Sequence, residues 1–327
     1  MNKERELWQF VRARIDAGHR VMLMVVAESS GSSPGRPGYK MAVGSGGELC
    51  GSIGGGVMEV SLVERSRALL SEPGAVATGL FPPQLIEQVH QKNSPHASGM
   101  ICSGRQTVIL VQLGPTDVQT VSEITGALDL GRQALLTITK NGIIAEMDAD
   151  IGSRISFDRH TDTEFSYSER LGYDHDLYII GGGHCSLALS ELMSKLDFRI
   201  TIFDDRPDLN TIEKNRFARD IQIIESYENI GDLVPPGPNI YVVVMTLGYS
   251  SDEVAIRSLI KKEIKYLGVL GSKAKMGILL KSLEKEGIDP LLLSRIHTPI
   301  GIPINSHTPD EIAISIAAEI VLVKNAQ

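Results

Sequence analysis

A strand, a glycine turn and a helix follow one another without a break in the second half of the chain. The apolar segment LYII runs straight into Gly181-Gly182-Gly183-His184-Cys185-Ser186. This succession is the context in which a glycine turn binds a dinucleotide or phosphate. Gly181 can make the tight turn, Gly183 lets a pyrophosphate approach the backbone, and the helix N-terminus, with His184 in its first turn, supplies amides and partial positive charge. The next strand, RITIFDD, ends in Asp204-Asp205 about 20 residues on, where an acid takes a ribose hydroxyl. Strand and helix patterns then alternate to the end of the chain, which predicts a doubly wound parallel sheet over 176–327. The turn taken alone leaves two readings open: a nucleotide site, or a glycine turn kept only for folding.

The first half is organised differently. A helix is expected over about 4–17, followed by VMLMVVAESS, which is apolar without alternation and reads as a strand buried on both faces. A turn-rich loop, GSSPGRPGYK, and a short hairpin lead to Cys50-Gly51-Ser52-Ile53-Gly54-Gly55-Gly56 and a helix over 57–70. Residues 73–99 have little pattern and read as an excursion. A strand at 107–113, a helix near 120–128 and a strand at 134–140 complete an α/β domain over 1–150. Residues 141–170 read as a short polar hairpin leading into a linker, set at 151–175.

The glycines at 51–56 offer backbone amides to an anion, with Gly54, Gly55 and Gly56 as contacts. Glu59 reads two ways, as the residue completing the helix start or as a ligand contact. Ser33 and Lys40 add a flexible loop and a cation. Cys102, in Ile101-Cys102-Ser103-Gly104-Arg105, is either a thiol activated by Arg105 or a small buried hydrophobe. Ser272 and Lys273 stand where the strand YLGVLG meets a helix, at the carboxyl edge where open sheets bind ligands. His297 is a lone histidine in a proline-constrained segment. Thr308-Pro309-Asp310-Glu311 is a strong helix start.

Bulk properties narrow the field. A net charge of −8 argues against a broad electrostatic grip on nucleic acid or anionic membrane. The charged start MNKERELWQF lacks the apolar stretch of a signal peptide, and runs such as VMLMVVA fall far short of the ~20 residues that span a bilayer. Three scattered cysteines suit neither a disulfide frame nor a metal-ligand set, so a cytoplasmic protein with no metal site of its own is expected.

Taken together, these segments resemble the XdhC/CoxI family of xanthine dehydrogenase accessory proteins. The resemblance rests on GSSPGRPGYKMAV, GSIGGGVMEV, the Cys102 turn, YIIGGGHCSLAL, TIFDDRPDLN, VVVMT, YLGVLGSKAKM, RIHTPIGIPI and TPDEIAISIAAEI, in order along nearly the whole chain. It implies an N-terminal α/β XdhC/CoxI-type domain followed by a Rossmann-like domain. It implies transient binding of the molybdenum cofactor (molybdopterin), with Cys102 as a cofactor or sulfur contact. The partners implied are a xanthine-dehydrogenase-type apoenzyme, a cysteine desulfurase and a second copy of the chain in a homodimer. Such a protein is a non-catalytic maturation chaperone. The alternative is an NAD(P)-dependent oxidoreductase. The sequence departs from the family pattern at Ser103, at Ser186 in place of a third glycine, at Leu247 where a histidine is usual, and at Asn305-Ser306.

Overall fold

In a computed structural model, residues 3–71, 81–89, 104–147, 149 and 152–326 are described. The chain forms two compact units, residues 2–172 and 173–327.

In the first unit, the lead helix α1 (Lys3–Asp16) precedes β1 (Val21–Gly31), β2 (Lys40–Gly44), β3 (Leu49–Gly51) and α2 (Gly56–Ser71). Then come β4 (Gln84–Val89), β5 (Gly104–Leu113) and α3 (Val118–Asp129). The strands form an antiparallel sheet in the order β3-β2-β1-β5-β4. The unbroken apolar run of β1 now has its reason. Val21, Leu23 and Val25 pack with α1 and α3, while Met22, Met24 and Val26 pack with Leu62, Val63 and Leu70 of α2. Covering on both faces, rather than parallel pairing, removes the alternation.

The region expected to be a linker is folded. After β6 (Ala134–Thr139) and β7 (Gly142–Met147), the strands β8 (Ile155–Arg159) and β9 (Phe165–Leu171) complete a second sheet, β7-β6-β9-β8. Phe165, Tyr167 and Leu171 are buried in the same core as Trp8 and Leu23, so the boundary falls at 172 rather than 150. The polar intervening positions of β9 hide this strand among turn formers.

In the second unit, β10 (His175–Ile180), α4 (His184–Ser194), β11 (Phe198–Asp204), β12 (Asp220–Ile223) and β13 (Gly237–Val244) lead into α5 (Tyr249–Leu259). They are followed by β14 (Ile264–Val269), α6 (Lys273–Lys285), β15 (Ile296–His297) and α7 (Pro309–Asn325). All six strands are parallel, in the order β12-β11-β10-β13-β14-β15. This is the 3-2-1-4-5-6 order of the dinucleotide-binding fold, whose direction reverses between β10 and β13. Leu177 and Ile179 face α4 and α7, whereas Tyr178 and Ile180 face α5 and α6, so helices cover both sides of the sheet. Thr308 caps α7, and Glu311 returns to the Thr308 amide at 3.0 Å, the capping box that segment predicts. Among the described residues, no helix is long and apolar enough to cross a membrane.

Candidate functional site

In open α/β sheets, ligands bind outside the carboxyl ends of the strands at the point of reversal. The turn after β10 and the loop after β13 meet there. Gly181 has φ +109°, and a Cβ on it would lie 2.3 Å from the Met245 carbonyl oxygen, so only glycine fits between the two strands. Gly183 caps α4, and a Cβ there would meet no atom within 4 Å. The start of α4 is therefore open, with His184 exposed beside it.

Asp204 is not offered to a ligand. It is fully buried, and its carboxylate accepts from Gly182 N at 2.6 Å and from Arg206 N, Nε and Nη2 at 2.8, 2.9 and 2.8 Å. Burial pushes this carboxyl up. The Arg206 guanidinium and the two amides outweigh burial and hold it below the usual carboxylate range. In this structure the acid expected to take a ribose hydroxyl closes the turn instead. Asp205 is the more accessible neighbour, with one oxygen 3.1 Å from the Tyr227 hydroxyl that donates to it.

A second cluster borders the same edge, and sequence reasoning missed it. Asp252, buried in α5, accepts from Thr246 Oγ1 at 2.6 Å, from Thr246 N at 3.1 Å and from Lys275 Nζ at 2.9 Å. The loop after β13 is thereby tied to α5 and α6. The helix begins at Tyr249, so Asp252 lies in its first turn, where it is buried. Ser272 caps α6 by accepting from Lys275 N, and Lys273 is exposed at that helix start. Leu247 projects from the loop, 80% exposed.

The glycine segment of the first unit differs more from expectation. Glu59 Oε2 accepts from Ile53 N at 2.8 Å, Gly55 N at 3.0 Å and Ser52 Oγ at 2.7 Å. Of the amides expected to cradle an external anion, that of Gly55 already holds this internal one, and that of Gly54 donates to Ser52 Oγ at 3.1 Å. Gly54 (φ +123°) serves close packing, since a Cβ would lie 2.5 Å from Gly35 N. Gly55 faces open space, and Gly56, exposed, is the first residue of α2. Replacing Glu59 by alanine is expected to cost about 0.5–2 kcal/mol, the usual range for a lost helix cap. Thermal denaturation reads this directly, and an unchanged melting temperature would mean that water serves those amides equally well.

Two further expected contacts are internal. Ser33 is buried and donates to Gln106 Oε1 at 2.8 Å, pinning its loop to β5. Lys40 is buried too, 2.7 Å from both Glu4 Oε1 and Glu169 Oε1, with Tyr167 donating to the other Glu169 oxygen at 2.6 Å. Its ammonium ties α1, β2 and β9 together and has no reach to a ligand. Cys102 lies outside the described residues. Burial pushes the Cys50 thiol up, with Glu6 adding to the effect, and burial does the same for Cys185. Neither of these thiols is activated. Among the described residues, no group of three or more His, Cys, Asp or Glu is placed to hold a metal.

The strand order and the glycine turn at the reversal define the second unit as a Rossmann-type domain. A family model described as the XdhC Rossmann domain matches residues 177–320, and one described as the XdhC and CoxI family matches 14–78. The chain belongs to the XdhC/CoxI family. It is 25% identical over 300 residues to the uncharacterized protein YqeB of Escherichia coli K12, spanning 92% of this chain but 43% of that one. It is 23% identical to a Bacillus subtilis protein described as a probable xanthine dehydrogenase component, covering 94% of each chain. A Bacillus halodurans crystal structure described as a xanthine dehydrogenase shares the fold, with a TM-score of 0.74 and 22% identity over 100% of this chain and 97% of the other.

Proposed function

We propose that this chain is a xanthine dehydrogenase accessory protein that carries the molybdenum cofactor as cargo. In this reading it protects the cofactor, supports its sulfuration together with a cysteine desulfurase, and inserts it into a xanthine-dehydrogenase-type apoenzyme. Family membership supports the accessory role, and the Bacillus subtilis relative named for xanthine dehydrogenase supports that partner. A homodimer is part of the same reading, as is a cofactor or sulfur contact at Cys102.

One observation carries the reading at the level of chemistry. The start of α4 is open at Gly183, while Asp204 is consumed by Gly182 and Arg206. A terminal phosphate needs amides and space, which this edge offers. An adenosine ribose needs a free acid, which Asp204 does not supply, and one oxygen of its neighbour Asp205 already accepts from the Tyr227 hydroxyl. A pterin phosphate therefore suits the site better than NAD(P). The strand order still favours the oxidoreductase alternative enough to include it in the test.

The experiment is anaerobic titration of the protein with isolated molybdenum cofactor, followed by reconstitution of a cofactor-free hydroxylase, with NAD(H) titrated in parallel. Gly183→Val fills the open space and is expected to weaken cofactor binding by at least ~10-fold, or about 1.4 kcal/mol. With φ −73° at Gly183 and no neighbour within 4 Å, the variant should fold normally. Binding of NAD(H) without cofactor binding would transfer the site to the oxidoreductase reading. Cofactor binding untouched by the variant would place the cargo elsewhere.

A further inference from the structure

At the far edge of the second unit's sheet, a cavity of about 220 Å³ opens between the end of α5 and the strands β14 and β15. Apolar residues, among them the buried Ile260 and Leu267, form part of its lining. Lys262, Lys265, Arg295 and His297 also line it, and none of the lining residues is acidic. Four basic groups around one cavity are conspicuous in a chain of net charge −8. Among the described residues, Lys262, Lys265 and Arg295 form no ion pair. Lys262 Nζ donates to the Val234 carbonyl oxygen at 2.6 Å, which fixes one ammonium at the wall. His297 is held from behind, its ring 4.5 Å from that of Tyr266 and its Nδ1 3.5 Å from Glu319 Oε1. Tyr266 in turn donates to Glu319 Oε2, which also accepts from Gly301 N at 2.9 Å. The imidazole is thus positioned by a buried tyrosine and a carboxylate, with its other nitrogen left for a ligand.

Three cations that form no ion pair among the described residues favour an anion, and with one histidine beside them they suit a dianion better than a monoanion. The volume lies below the ~300–1,000 Å³ of drug-sized sites, so the occupant is small. We propose that this cavity binds a small phosphate monoester, its phosphate against Lys262, Lys265, Arg295 and His297 and its apolar body against Ile260 and Leu267. The site lies at β14 and β15, separated in strand order by β13 from β10 and its glycine turn, and does not depend on the cofactor-carrier reading.

The test follows the His297 side-chain resonances by NMR in the full chain during titration with phenyl phosphate, inorganic phosphate and benzoate. Saturable shifts are expected with both phosphates, tighter for phenyl phosphate and weak for benzoate. Lys265→Gln combined with Arg295→Gln should weaken phosphate binding at least ~10-fold. Both side chains are exposed, so the fold should persist, as circular dichroism would verify. Gly183→Val should leave the shifts intact. The proposal is overturned by shifts that never saturate, by equal affinity in the double variant, by benzoate binding as tightly as phenyl phosphate, or by loss of the shifts in Gly183→Val.

Discussion

Replacing Gly181 by alanine is expected to destabilise the protein by about 3 kcal/mol or more. The residue has φ +109°, a region that L side chains rarely adopt, and strain of this kind alone costs of order 1–3 kcal/mol. The new Cβ would also sit 2.3 Å from the Met245 oxygen, 2.7 Å from its carbonyl carbon and 2.9 Å from Thr246 N. All three are backbone atoms at the end of β13, so no rotamer change relieves the clash. Relief requires β10 and β13 to separate, although these strands are hydrogen-bonded along their length. At roughly 2–4 °C per kcal/mol for units of this size, the melting temperature should fall by about 10 °C. Gly183→Ala is the control, because it meets no neighbour within 4 Å and its backbone accepts any residue. Denaturant unfolding of both variants checks the prediction. Equal stability would mean that the two strands are not held at this distance.

Lys40→Met should be comparably damaging, by about 3–5 kcal/mol, as expected when one partner of a buried ion network is removed. The variant leaves Glu4 and Glu169 facing each other without their shared cation, in a setting where Glu169 is almost fully buried. The effect should depend on pH, and its sign follows from linkage. Burial already raises the Glu169 carboxyl, Lys40 opposes the rise and Glu4 adds to it. Without Lys40 the folded-state value lies higher still. Between the unfolded value (~4.3) and that raised value, the folded state holds a proton that the unfolded chain has released. Stability of the variant therefore falls as pH rises through this window. The deficit relative to wild type should be smaller near pH 5 than near pH 8, and Glu169→Gln added to Lys40→Met should recover part of it at the higher pH. A deficit independent of pH would assign the loss to packing alone.

The glycine turn at 181–183 is readable in sequence because its surroundings are local. A buried strand, a turn and a helix lie within some twenty residues, and the later strands repeat the same rhythm. The strands β8 and β9 are readable only as part of a polar hairpin leading into a linker, not as part of the core. Their alternating polar positions resemble a solvent-exposed hairpin until Phe165, Tyr167 and Leu171 are seen to enter the core of the first unit. Glu59 fits either of two roles in sequence, and only the folded chain chooses between them. Asp252 and Lys275 escape notice because they are 23 residues apart and belong to different helices.

Sequence by itself determined the Rossmann sheet of the second unit, its glycine turn and the family to which the chain belongs. Periodicity and turn chemistry act between near neighbours and are written residue by residue. The tertiary structure alone decided what each polar side chain is spent on. It closed the first unit's glycine cradle with Glu59, gave Lys40 to Glu4 and Glu169, and turned Asp204 back onto Gly182 and Arg206. A buried charge takes whichever partners the packing brings within about 3 Å, and sequence order does not state that distance. The open start of α4 at Gly183 is what those internal bonds leave available.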